Sequence, residues 1–148
     1  EREGFLKVGI QVDAERAAAI SPNLRFTDDL LDLCASCDYI TIHVPATPKT
    51  KGTIGADEIA AMKEGAAFLN FSRDTLVDND AMRAGLTSGK VRRYVTDFAT
   101  PEVMTMEGAL VLPHLGASTA EAEENCAEMA VREVMDYLET GKKVHCVN

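Results

Sequence analysis

The sequence has no apolar run near the ~18 residues that a helix needs to cross a bilayer, which argues against a membrane-spanning helix. It also lacks any cluster of Lys and Arg. With 24 acidic against 15 basic residues the formal charge is -9, and a nucleic-acid partner, which needs a concentrated basic face, is not expected. Cys34 and Cys37 stand at CxxC spacing, but no second such pair and no pair of histidines completes a tetrahedral metal site. Plain buried or half-buried thiols in a reducing compartment are the expectation, with no metal. The chain opens on Glu1-Arg2-Glu3 where a signal segment would be basic and then apolar, so a cytoplasmic protein is expected. No internal repeat, low-complexity segment or interdomain linker interrupts the chain.

What is present suits one domain. The 148 residues are 46% hydrophobic, enough for a substantial core and too few for two ordinary domains. Residues 7–12 form an apolar run ending at Asp13, followed by Ala-rich helical turns over 14–19. A brief strand is expected at 24–26. Thr27 then caps a helix through Cys34, with Asp28 and Asp29 in its first turn and Leu30, Leu31 and Leu33 facing inward. The β-branched and aromatic run 39–42 is a strand with a long exit past His43 and Pro45. A helix over 56–62 leads to 66–71, a continuous apolar strand of the kind buried on both faces. A helix over 78–86, a strand over 91–96 ending at Asp97, and a strand over 109–112 closed by Pro113 follow. The longest helix spans about 118–138, with Ser118 and Glu121 as a capping box and Gly141 as its stop. Strands alternating with helices in this way imply βαβ units: an α/β, Rossmann-like parallel sheet with flanking helices.

Such a sheet binds its ligands where the strands run out into loops. Three polar insertions mark that edge: Asn70-Phe71-Ser72-Arg73, the segment from Asp97 to Glu102, and Pro113-His114-Leu115-Gly116. Arg73 carries a permanent charge that can clasp a carboxylate with two parallel hydrogen bonds; alternatively it pairs with Asp74 or Asp78. His114, set between a strand and a glycine, suits proton transfer near neutral pH or a structural role. Glu102 leaves the neighbouring strand and can orient the imidazole, fixing its tautomer, or it is simply an exposed loop residue. His43 reads as part of a wall for a ring and His145 as a solvated side chain. Asp13 has the setting of the acid that binds an adenosine ribose, about 20 residues after a glycine-rich phosphate turn. No such turn precedes it here, so either the chain begins part-way through a nucleotide-binding domain or Asp13 is a helix cap.

The motifs Cys37-Asp38-Tyr39-Ile40-Thr41-Ile42-His43-Val44-Pro45, Asn70-Phe71-Ser72-Arg73 and Pro113-His114-Leu115-Gly116-Ala117-Ser118-Thr119 together resemble the D-isomer-specific 2-hydroxyacid dehydrogenases. The resemblance runs from Val8 through nearly the whole chain. It implies an NAD-dependent oxidoreductase in which Arg73 binds the substrate carboxylate, His114 moves the hydroxyl proton and Glu102 holds His114. It further implies that Asp97 contacts the nicotinamide carboxamide, that Val44, Pro45, Phe71 and Ser72 line the cofactor, and that Arg73, His114, Gly116 and Ala117 touch it as well. Asp13 would bind the ribose hydroxyls and favour NAD by repelling a 2′-phosphate. The implied substrate is a small 2-hydroxy or 2-oxo acid, 3-phosphoglycerate first, with glyoxylate or hydroxypyruvate as the alternative. A non-catalytic NAD-sensing scaffold is the reading outside enzymology. The intact protein is expected to be a homo-oligomer, a dimer or tetramer. The chain would be the later portion of a nucleotide-binding domain, without the substrate domain and any regulatory domain, and inactive alone. Two residues depart from the family pattern. Asp74 stands where glycine is usual, so its charge either weakens Arg73 or turns to solvent. Gly85 interrupts a helix at a cost of roughly 1 kcal/mol relative to alanine.

Overall fold

The structure, a computed structural model, describes residues 6–8, 19 and 24–144, with only the backbone described at 6–8 and 24–26. Two short strands, β1 (Leu6–Val8) and β2 (Leu24–Phe26), pair in parallel. Asp13 and the helical turns expected over 14–18 lie outside the described residues. The apolar runs further along form β3 (Tyr39–Ile42), β4 (Ala66–Asn70), β5 (Val91–Thr96) and β6 (Ala109–Val111), a parallel sheet in the order β3-β4-β5-β6. Between the strands lie helices α1 (Leu30–Ser36), α2 (Ala56–Ala61), α3 (Asn79–Ser88) and the single turn α4 (Pro101–Met104); α5 (Ala120–Thr140) follows β6. Contacts group the chain into two compact units, Glu1–Pro113 and His114–Asn148.

Two helix starts differ from the expectation. The cap of α1 is Asp29 and not Thr27: the Asp29 carboxylate accepts from the N–H of Leu31 at 2.9 Å and of Asp32 at 3.2 Å. Thr27 instead accepts from the Asp29 N–H at 3.3 Å, one step outside the helix. Leu30, Leu33 and Cys34, at i, i+3 and i+4, share the face that meets the core, whereas Leu31, expected to face inward, is 44% exposed. The α5 cap is Thr119 and not Ser118, its hydroxyl accepting from the Ala122 N–H at 3.1 Å. Glu121 then falls one residue short of closing a capping box. Gly141 ends α5 in the left-handed region at φ 69°, as its position past the apolar periodicity predicts.

β4 is the centre of the core. Its residues Ala66, Ala67 and Phe68 are buried, as a central parallel strand covered on both faces requires. Phe68 pairs in register with Tyr94 on β5, their rings 6.1 Å apart and tilted by 37°. The CxxC cysteines divide: Cys34 is fully buried and Cys37 half-buried. Burial, with Glu58 and Cys37 adding to it, pushes the Cys34 thiol up to about 11, so it is no nucleophile at neutral pH. Among the described residues no cluster of His, Cys, Asp and Glu suits a metal ion, and no helix is long and apolar enough to cross a membrane.

Gly85 has a packing role that its helix propensity hides. A Cβ there would lie 2.7 Å from Ile59 Cγ2 on α2 and 3.3 Å from Val91 Cγ2 on β5. Both neighbours are buried, so α3 reaches this close only because position 85 has no side chain. Gly85→Ala therefore gains helix propensity but overpacks the core, an effect of about 1–3 kcal/mol. The net expectation is a melting temperature lowered by about 3 °C. A higher melting temperature for G85A by calorimetry would refute this packing account.

Tyr94 is 1% exposed. Burial raises its phenol above the ordinary value, the Asn70 and Thr96 side chains beside its hydroxyl work the other way, and the Asp74 charge adds to the rise. A phenol raised in the folded state contributes stability that is complete below the unfolded value, near pH 10, and is lost as pH climbs through the folded one. Tyr94→Phe should thus narrow the stability loss seen as pH rises above about 10, measured by urea unfolding at each pH. An unchanged loss would show that Tyr94 does not carry this dependence.

Candidate functional site

The site begins with a buried amide. β4 ends in Asn70, which is fully buried and so must find its hydrogen bonds inside the protein. Its Nδ2 donates to the Arg73 carbonyl at 2.8 Å, and its Oδ1 accepts from the Ser72 N–H at 3.1 Å. These two bonds close the chain into a turn immediately after the strand. Ser72 Oγ then donates to the Val44 carbonyl at 2.6 Å, fastening the exit of β3 to the exit of β4. Arg73 is left extended and exposed, its guanidinium donating among the described residues to the Ser72 carbonyl at 2.6 Å.

Neither acid proposed as an ion-pair partner takes that role. Asp74 Oδ1 accepts from the Thr75 N–H at 2.8 Å, and Asp78 Oδ1 caps α3 through the Ala81 N–H at 2.9 Å. Among the described residues Arg73 forms no ion pair. The segment bearing these acids is anchored to the loop after β3 by three backbone bonds of 2.9 to 3.0 Å: Gly52 N–H to Thr75, Ile54 N–H to Leu76, and Asp78 N–H to Ile54. The Asp74 charge is engaged in its own turn.

The exit of β5 is built the same way. Buried Thr96 accepts from the Phe98 N–H at 3.2 Å through its hydroxyl and from the Leu112 N–H at 2.8 Å through its carbonyl. Asp97 follows, half-buried, with its Oδ1 withdrawn from solvent. The chain then enters α4, capped by Thr100, which presents Glu102 at the surface. Among the described residues the Glu102 carboxylate has no hydrogen-bond or ion-pair partner. A cavity of about 240 Å³ separates the turn after β4 from the turn after β5, with Asp74, Asp78, Tyr94, Phe98, Thr100 and Val103 in its lining.

Arg73, Asp97 and Glu102 thus leave neighbouring ends of one parallel sheet. His114 is the first residue of the second unit, exposed on the segment between β6 and α5. Gly116 and Ala117 continue that segment in a turn where the Ser118 N–H donates to the Leu115 carbonyl at 3.1 Å. His43 is exposed, its Nε2 2.8 Å from Thr41 Oγ1 on the preceding strand. His145 lies outside the described residues. Sequence reasoning gave Asn70 and Thr96 no individual task; a polar residue closing an otherwise buried run was the available signal.

The residues suit the nicotinamide end of a dinucleotide. Val44, Pro45, Phe71 and Ser72 belong to two loops that the Ser72–Val44 bond holds side by side. Asp97 offers a half-buried carboxylate at the next strand end, an acceptor fitted to a carboxamide N–H.

The family model for the NAD-binding domain of D-isomer specific 2-hydroxyacid dehydrogenases matches residues 8–116. D-3-phosphoglycerate dehydrogenase of Methanocaldococcus jannaschii is 33% identical over 141 residues, covering 91% of this chain and 27% of that protein. Glyoxylate/hydroxypyruvate reductase B of Cronobacter sakazakii is 33% identical, covering 85% of this chain and 41% of the relative. The chain therefore spans well under half the length of these curated relatives. The solved D-mandelate dehydrogenase of Rhodotorula graminis shares the fold with a TM-score of 0.81 at 22% identity, over 90% of this chain and 40% of that one. The chain belongs to the D-isomer specific 2-hydroxyacid dehydrogenase family, within its NAD-binding domain.

Proposed function

We propose that the intact protein oxidises 3-phospho-D-glycerate to 3-phosphohydroxypyruvate with NAD. The observation that carries the reading is Arg73: a cation held at a strand exit by a buried amide, with both neighbouring acids committed to backbone N–H groups. An arginine so held suits two-pronged capture of a substrate carboxylate. Relatives named D-3-phosphoglycerate dehydrogenase support the choice of acid.

Each side chain then has one task. Arg73 binds the carboxylate and steadies the oxygen on C2. His114 takes the hydroxyl proton as the alcohol becomes a ketone, and Glu102 orients the imidazole that takes it. Asp97 accepts from the carboxamide, and Val44, Pro45, Phe71 and Ser72 wall the ring, with Gly116 and Ala117 beside it. Asp13 holds the ribose hydroxyls. When bound, NAD supplies the acceptor for the hydride that leaves C2. In the reverse direction His114 returns the proton.

A second substrate reading, reduction of glyoxylate or hydroxypyruvate, is favoured by the similarity to the reductase of Cronobacter sakazakii. Steady-state assays of the full-length protein with each acid separate the two. Turnover of hydroxypyruvate without turnover of the phosphorylated acid would overturn the first choice. In either case His114→Ala should lower kcat by about 10²-fold or more, the usual loss of a positioned acid or base. Undiminished activity in that variant would remove His114 from proton transfer.

A further inference from the structure

The residue proposed to orient His114 sits on a very short element of the fold. α4 is one turn of four residues, Pro101–Met104, and a single turn fixes several backbone angles for very few hydrogen bonds. Its bonds include those from the Met104 N–H to the Thr100 carbonyl at 2.9 Å, from the Val103 N–H to the Thr100 hydroxyl at 3.3 Å, and from the Thr105 and Met106 N–H groups to the Val103 carbonyl. Val103 and the following Met106 bury their side chains, which secures one side of the turn. The other side is secured from α3.

Arg83, half-buried on α3, reaches across to the C-terminal end of this turn. Its Nη2 donates to the Glu102 carbonyl at 2.9 Å and to the Thr105 hydroxyl at 3.1 Å, and its Nη1 lies 3.4 Å from the Thr105 carbonyl. Thr105 Oγ1 donates in turn to the Glu102 carbonyl at 2.9 Å, so Arg83, Thr105 and Glu102 close a ring of hydrogen bonds. A guanidinium at a helix C-terminus satisfies carbonyls that have no partner within the helix and opposes their partial negative charge. The planar fork spans two carbonyls at once, which a lysine ammonium on a flexible stem does not reproduce. The result is that the backbone of Glu102 is fixed, and its carboxylate is free to move only through its own side-chain torsions.

We propose that Arg83 is a positioning residue for the reaction: by clamping the carbonyls of Glu102 and Thr105 it fixes the backbone from which the Glu102 carboxylate projects. The proposal rests on the assignment of Glu102 given above. Arg83 touches neither substrate nor cofactor in this scheme. Its substitution should change kcat through Glu102 and leave cofactor affinity alone.

The test is a double-mutant cycle in the full-length protein, with reduction of 3-phosphohydroxypyruvate, or of hydroxypyruvate if that is the acid turned over, followed through NADH absorbance. Arg83→Ala should lower kcat by about tenfold, since modest misplacement of a working group costs that order or more, while KM for NADH stays within about twofold. Arg83→Lys should recover little of the loss. In a Glu102→Gln background the same Arg83→Ala change should cost almost nothing, because there is no longer a carboxylate to position. Losses that multiply across the two sites would overturn the positioning role while leaving Glu102 in place. A fully active Glu102→Gln would overturn both assignments. If Arg83→Ala does not fold, Thr105→Val removes one member of the ring, and the same non-additivity with Glu102→Gln is expected of it. Hydrogen exchange gives a readout apart from turnover: the amides of Met104 and Met106 should exchange faster in either clamp variant. Unchanged exchange there would show that the turn does not depend on the clamp.

Discussion

The working edge of this protein depends on one buried amide. Asn70 terminates the central strand of the sheet, where its side chain has no access to water and must be satisfied internally. It does so with two backbone groups, the Ser72 N–H and the Arg73 carbonyl, and thereby sets the course of the chain out of β4. Ser72 is turned to reach Val44, and Arg73 is turned outward with its charge unpaired by its neighbours. An aliphatic residue at position 70 would fit the apolar run better and would leave this exit without its turn.

The same device recurs one strand over. Thr96 lies opposite Asn70 in the sheet register and holds Phe98 and Leu112, and Tyr94 lies one pleat behind it with its hydroxyl beside both polar side chains. The polar residues of the core are gathered at the end of the sheet where the loops leave, and the remainder of the core is apolar. Gly85 serves the opposite requirement. By lacking a side chain it lets α3 lie close on Ile59 and Val91, which carries Arg83 to the turn that bears Glu102. Close packing and loop geometry are thus linked through one helix.

Much of the architecture is legible in the residues. The alternation of apolar strands with capped helices gives the parallel sheet, and the uninterrupted run before Asn70 identifies the strand buried on both faces. Helix starts are less secure. At α1, Thr27, Asp28 and Asp29 are all competent caps, and which one serves depends on which face of the helix meets the core. The two departures from the family pattern also resolve in structure. Asp74 spends its carboxylate on its own turn, and Gly85 is a packing requirement, not a weak helix position.

By itself the sequence determined the order of the elements, the alternation that makes the sheet parallel, and the placing of Arg73, Asp97, Glu102 and His114 just beyond strand ends. These follow from side-chain periodicity and turn chemistry, which are local. Only the tertiary structure decided that Asn70 and Ser72 latch two loops together, that Asp74 and Asp78 are engaged away from Arg73, and that Arg83 clamps the turn carrying Glu102. In each of those contacts at least one partner is a backbone N–H or carbonyl. Every residue but proline offers the same two groups, so the sequence does not say which of them a given side chain will meet.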